Sequence, residues 1–226
     1  MSDSPRDTAA FEVRDALRET GCPVCRLTMR SVAKLLQSIA YEQVNDVGLR
    51  NELRIAGGFC NAHAHQWLRE AQHALGTALI YRDVIMAALR TLDRAPRPRR
   101  RLRGLLGGSD RRGPEGACPA CHMQLEAEGR YVEALLAVVA ADASALNGSD
   151  ALCRRHVRTV ARLGGPGADC ILQQTRSSVE ALLRDLEEVI RKEDYRFRHE
   201  PRSERERSAP ARAIAWAAGV EGLVDT

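Results

Sequence analysis

The chain has 226 residues, of which 44% are hydrophobic and 4% aromatic, and a formal net charge of +4. That length suits one large domain or two small ones, and the hydrophobic content excludes wholesale disorder. So few aromatic side chains argue against a stacking platform for single-stranded nucleic acid.

Taken in order, Met1 to Thr20 is polar and charged, with no apolar run leading to a small-residue cleavage site, so no signal peptide is expected. Cys22-Pro23-Val24-Cys25 follows, then Met29, Val32, Leu36 and Ile39 at helical spacing. Gly57, Gly58 and Phe59 precede Cys60-Asn61-Ala62-His63 and read as a helix start. Trp67, Leu75, Leu79, Val84, Ile85 and Leu89 continue the helical pattern. From Arg94 to Gly116 come Pro96, Pro98, Pro114 and five glycines, the signature of a linker. Within it, eight arginines against Asp110 give Arg94 to Arg112 a charge of +7.

Cys118-Pro119-Ala120-Cys121 opens the second half, with Leu125, Tyr131, Val132, Leu135 and Leu136 behind it. Ser149 or Asp150 is the expected N-cap of a helix that carries Cys153-Arg154-Arg155-His156. Gly164-Gly165-Pro166-Gly167 breaks the pattern, which resumes from Ala168 to Arg191. Asp194 to Ala211 is charged and irregular, and a short helix from Ala211 to Gly219 would pack through Ile214 and Trp216. No segment alternates as a strand would, and none approaches the ~20 apolar residues of a membrane span. The expectation is an all-α cytoplasmic protein of two related helical units, residues 1–93 and 118–193, with a linker over 94–117 and a tail over 194–226.

Six of the seven cysteines fall into two matching sets of the form C-P-x-C then C-x-x-H, separated by 34 residues in the first and 31 in the second. In a reducing compartment such spacing points to metal ligation rather than to a disulfide framework. C-x-x-C brings two thiolates within reach of one ion, and C-x-x-H at a helix start puts Cys and His on one face. A helix N-terminus also favours the thiolate form. Three thiolates and an imidazole saturate tetrahedral zinc, so such a site is structural and has no open position for water. The sequence reading assigns Cys22, Cys25, Cys60 and His63 to one site and Cys118, Cys121, Cys153 and His156 to the other, two zinc ions in all. It leaves crossed pairing between the sets open.

Other uses of these residues account for less of the pattern. Isolated buried cysteines would not need the repeated C-x-x-H. An iron–sulfur cluster can use thiolates with a histidine and stands as the alternative cofactor. A dithiol–disulfide role would leave both C-x-x-H pairs unexplained. Cys118 to His122 matches a haem-attachment pattern that Arg26 breaks in the first set. His65 and His73 are expected at the surface or core edge, His122 and His199 in solvent, and Cys170 as a small buried residue. Glu187-Glu188 and Glu193-Asp194 read as a solvated helix face. No phosphate-binding or dinucleotide motif and no nucleophile elbow is present, so no catalytic residue is assigned. The expected role is a binding or regulatory module with a protein partner. Weak nucleic-acid binding through Arg94 to Arg112 is the further possibility.

The motif order resembles an uncharacterised prokaryotic family, a domain of unknown function. The likeness is carried by both C-P-x-C pairs, Gly58 to His63, Leu79-Ile80-Tyr81-Arg82-Asp83, Leu152 to His156, and Asp194-Tyr195-Arg196-Phe197-Arg198-His199-Glu200-Pro201. It spans about Phe11 to Gly219. It implies a common fold and metal sites, and no reaction. The Arg-rich linker lies outside the pattern. The tail, with Tyr195 and Phe197 among arginines, is expected to dock on the helical body.

Overall fold

The structure is a computed structural model that describes residues 5–94, 118–150 and 152–223. The linker expected over 94–117 therefore lies almost wholly outside the described residues. Nine α-helices are present among those described: α1 (Pro5–Ala16), α2 (Pro23–Ser38), α3 (Val47–Ala56), α4 (Asn61–Glu70), α5 (Ala74–Arg94), α6 (Pro119–Ala141), α7 (Arg154–Leu163), α8 (Ala168–Arg191) and α9 (Glu204–Ala218). A π-helical turn, Ile39–Gln43, extends α2, and a 3₁₀ turn, Ala143–Leu146, follows α6. The all-α class holds, with no strand among the described residues.

Local chemistry accounts for the helix ends. Pro23 and Pro119 take the first helical position of α2 and α6, where a missing N–H costs nothing and the fixed φ suits the helix. Asp46 caps α3 by accepting a bond from Leu49 N–H at 2.7 Å, and Gly57, at φ +75°, ends it in the left-handed region. Ser203 and Glu206 form a reciprocal capping box at the start of α9. That box starts the helix seven residues before the Ala211 expected from the sequence, and Pro210 is carried inside it. Ile214, expected to pack, is exposed, whereas the Trp216 ring is half-buried with its Nε1 enclosed.

The chain forms two compact units, and they do not follow the two repeats. One combines Met1–Arg30 with Glu126–Leu223, and the other centres on Ser31–Leu125. The division cuts through α2 and α6. Each of these helices starts in one unit and ends in the other, α2 leading from the first to the second and α6 back again. The boundaries 1–93 and 118–193, read from the duplicated cysteine motifs, differ from the units that pack together.

In the first unit Val13, Ala16, Val24, Leu27, Val132, Leu135, Val160 and Ile171 form the core. α8 and α9 pack together, and both meet α7. Gly167, at φ +87°, makes the α7–α8 turn possible: a Cβ there would lie 2.7 Å from the Leu136 carbonyl oxygen and 2.9 Å from Ala140 N. The tail docks on α8 as the motif likeness implied. Lys192 donates to both oxygens of Glu206, at 2.7 and 2.9 Å, and to the Pro201 carbonyl at 3.1 Å. Arg191 pairs with Glu188 and Glu200 and lies 4.8 Å from the Phe197 ring centroid. Asp185 accepts from Arg205 and Arg212. Tyr195 stays in solvent.

In the second unit Val32, Leu36, Ile39, Leu53, Trp67 and Ile80 form the core, with Phe59 stacked on Trp67 at 5.3 Å. The Trp67 indole donates to Thr77 Oγ1 at 2.9 Å, so its one polar atom is satisfied in the interior. α3 packs on α5, joined by an Arg50–Asp83 ion pair. The C-terminal half of α5 departs from expectation: it is helical, yet Ile85 and Leu89 are exposed, as is Leu75 at its start, and Ile80 makes the buried contact.

Candidate metal centres

All four cysteine motifs sit at helix N-termini. Cys22 and Cys118 stand immediately before α2 and α6, with Cys25 and Cys121 in the first turn. Cys60 and Cys153 are the N-caps of α4 and α7, both with extended backbone, and His63 and His156 lie three residues on. The cap of α7 is therefore Cys153 itself rather than Ser149 or Asp150. Asp150 instead accepts the Gly21 N–H at 2.6 Å, tying together the two loops that deliver Cys22 and Cys153.

The eight residues form two groups, and the pairing is crossed. Cys22, Cys25, Cys153 and His156 converge in the first unit; Cys60, His63, Cys118 and Cys121 converge in the second. The assignment of one site per repeat is thus corrected. Helix length is the cause. From Cys25 the rest of α2 carries the chain about 20 Å along its axis, and from Cys121 the rest of α6 carries it about 30 Å. The ten-residue α3 spans only about 15 Å of return. Between α6 and Cys153 lie residues 142–152, and four of them are wound into the 3₁₀ turn. Each C-x-x-H consequently meets the C-P-x-C of the other repeat.

Within each group the four ligand atoms all lie within 4.8 Å of one another. In the first, Cys25 Sγ is 3.4 Å from Cys153 Sγ, and His156 Nδ1 is 3.4, 3.4 and 3.2 Å from the sulfurs of Cys22, Cys25 and Cys153. The second repeats these contacts at equivalent positions. Cys121 Sγ is 3.6 Å from Cys60 Sγ, and His63 Nδ1 is 3.7, 3.5 and 3.2 Å from Cys118, Cys121 and Cys60. Both rings present Nδ1 to the sulfurs, while their buried Nε2 atoms make no hydrogen bond.

The electrostatics fit a cation. Hydrogen bonds from Cys118 and Cys121 hold the Cys60 thiol far below its ordinary range, and Cys22 and Cys25 do the same for Cys153. Cys25 is pushed up by its bonds to Cys153 and Cys22, and Cys121 by Cys118 and Cys60. Burial opposes protonation of both histidines, yet the neighbouring sulfurs override it. His63 is raised to about 9 by Cys118 and Cys60, and His156 to about 10 by Cys153 and Cys22. Each cage therefore favours a positive charge among its sulfurs. A bound metal ion would supply that charge and release the ligand protons.

Residues outside the cages fall mostly where the sequence placed them. His65, His122 and His199 are exposed, and His73 Nδ1 accepts the Gly76 N–H at 2.9 Å near the start of α5. Cys170 is exposed on the first turn of α8, not buried. Two neighbours of the cages were not singled out from sequence. Tyr81 packs on the Gly58 backbone beside the second cage, and its hydroxyl is raised by burial and by the charges of Cys118 and Cys60. Gly219, past the end of α9, lies over Cys25. Tyr81 belongs to the Leu79–Asp83 motif that carries the family likeness, a signal that marked the segment without explaining it.

Fold and site together define an all-α protein with two Cys₃His groups, each able to hold a metal ion. Residues 6–103 match the model of a family described as a family of unknown function, DUF6062. That segment holds half of each cage: Cys22 and Cys25 of one, Cys60 and His63 of the other. Over 211 residues the chain is 26% identical to an "uncharacterized 23.9 kDa protein in xynA 3' region" of the bacterium Caldicellulosiruptor sp. (strain Rt8B.4), covering 90% of this chain and 98% of that protein. No solved structure matches the chain. The likeness to an uncharacterised prokaryotic family, read from the order of the motifs, agrees with these matches.

Proposed function

We infer that each group binds one zinc ion and that the resulting helical protein is a binding or regulatory module rather than an enzyme acting at its metals. The convergence of three sulfurs and one Nδ1 within 4.8 Å carries this reading. Tetrahedral zinc, with Zn–S of about 2.3 Å and Zn–N of about 2.0–2.1 Å, places sulfurs roughly 3.8 Å apart and S···N pairs roughly 3.6 Å apart. The observed 3.2–3.7 Å separations lie close to that cage. Four protein ligands fill the coordination shell, so the ion's contribution is to folding.

An iron–sulfur cluster is the competing use of the same residues. Cluster ligands are shared among several irons, which spreads their sulfurs apart. Ligands drawn around a single point favour a mononuclear ion. Elemental analysis of protein purified without air, together with a visible spectrum, decides between them. Two zinc per chain and no visible band are expected; iron with acid-labile sulfide would replace the zinc reading. On the partner side, the +7 segment from Arg94 to Arg112 supplies weak contact with nucleic-acid phosphates beside a protein partner. Deleting residues 97–112 should abolish any salt-sensitive DNA or RNA binding, and binding that survives the deletion would assign it elsewhere.

A further inference from the structure

The two cages are enclosed differently. In the first, Cys22, Cys25, Cys153 and His156 are all buried, with Cys25 at 0% and Cys153 at 2% exposure. Gly219 closes it: a Cβ there would sit 3.9 Å from Cys25 Sγ. Gly222 continues the cover against Met29, and Leu223 packs on the core of the same unit. α9, which delivers this segment, is anchored on α8 through Lys192–Glu206 and Asp185–Arg212. In the second cage His63 and Cys118 are buried, but Cys60 and Cys121 are only half-buried. The sulfurs of these two half-buried residues approach to 3.6 Å.

We propose that the Cys60–His63–Cys118–Cys121 group is an exchangeable, oxidant-sensitive metal centre, while the Cys22–Cys25–Cys153–His156 group is permanently closed. The proposal rests on the reading that each group holds a zinc ion. The reactive pair is Cys60 and Cys121, and the reactant is a hydroperoxide. One thiolate sulfur attacks the peroxide, the O–O bond breaks, and a sulfenic acid forms with release of hydroxide. The second thiolate displaces the sulfenic oxygen and forms the S–S bond. Two thiolates lose two electrons; one hydrogen peroxide takes them up with two protons and leaves as two waters. With two of its four ligands tied in a disulfide, this cage no longer retains its ion. The equivalent pair in the first cage, Cys25 and Cys153, is equally close at 3.4 Å but closed to an oxidant. Proximity is common to both cages; access is what separates them.

The test uses the full chain as purified, with its zinc content measured first. Hydrogen peroxide is then added in the presence of a chromophoric zinc indicator. One equivalent should be released at least about tenfold faster than the other, because reactivity follows thiolate exposure. Peptide mapping after blocking of free thiols should find a Cys60–Cys121 disulfide. Cys170→Ser should leave the fast phase unchanged, since Cys170 is exposed but belongs to neither cage. Cys121→Ser should remove the disulfide, and if that variant does not fold, the wild-type peptide map decides. Release of both equivalents at one rate, or a disulfide mapped to Cys25 and Cys153, overturns the proposal. A chain that carries no zinc before peroxide is added overturns the zinc reading instead.

Discussion

At the scale of single residues, the two N-cap cysteines bear the most. Cys60 and Cys153 each start a helix, each donate a ligand atom, and each lie within 3.2 Å of the histidine one turn on. Cys153→Ser should lower the metal content from two ions per chain to one and melt the unit that holds Cys22 and Cys25. A structural zinc site contributes on the order of 10–16 kcal/mol in small peptides, comparable with the roughly 5–15 kcal/mol that stabilise a typical domain, so weakening it through a lost ligand should be felt by the whole unit. Elemental analysis and a circular-dichroism melt check this directly. Trp67 offers a comparison away from the metals. It is fully buried, stacks on Phe59 and spends its indole N–H on Thr77. Trp67→Ala should cost about 3–5 kcal/mol by urea denaturation, with metal content retained.

At the scale of elements, what could be read from the sequence was what local chemistry decides. The Gly164–Gly167 break and the helix from Ala168 to Arg191 agree with the structure residue for residue. The helix start at Cys60 agrees too, whereas α7 starts at Cys153, later than the Ser149 or Asp150 expected, and each C-P-x-C is already the first turn of a helix rather than a turn ahead of one. Where tertiary packing decides, the pattern was silent or misleading. α1 looks merely charged, yet it buries Val13 and Ala16. Along α5 the apolar period is present, while burial falls on Ile80 and not on Ile85 or Leu89. The early start of α9 lay in plain view as Ser203 and Glu206, masked by Pro210 further on. Ser203→Ala should therefore destabilise α9 by about 1 kcal/mol, seen as faster amide exchange across 204–209. Gly167→Ala should cost more than about 1 kcal/mol, since both the positive φ and the Leu136 carbonyl refuse a Cβ. A cold chemical-denaturation midpoint equal to wild type would contradict that.

At the scale of the whole molecule, the pairing of the motifs was the part hidden from the sequence. Reading each cage within its own repeat rests on nearness along the chain. That preference is weak: doubling a closing loop costs only about 0.6 kcal/mol. Crossing the pairs lengthens both loops severalfold at most, a penalty of about 1–2 kcal/mol, which a single buried leucine side chain offsets. Helix length decided the matter instead. The tail adds a second whole-molecule effect. Glu206 is lowered by its bonds to Lys192, as Glu188 and Glu200 are by Arg191. A depressed carboxylate contributes stability above its unfolded value, and that contribution is lost as pH falls through the folded one. Tail docking should therefore weaken on the acid side, below the ordinary glutamate range of about 4.3. Comparison of Glu206→Gln with wild type should show their stabilities converging there and separating toward neutral pH. A chain ending at Ala218 keeps those ion pairs but loses the Gly219 cover over Cys25, and should release metal from both groups to peroxide at similar rates.

The crossed cages also order events during synthesis. Along the chain their ligands are nested, with Cys60, His63, Cys118 and Cys121 lying inside the span from Cys22 to His156. A ribosome that has made residues 1–93 has completed neither cage, and Cys22, Cys25, Cys60 and His63 must wait for their partners. The inner cage closes once Cys121 emerges; the outer one waits for His156, and its cover for Gly219. Half of this protein is thus not a smaller version of it, and the two halves made as separate chains would each have to find the other before either cage could form.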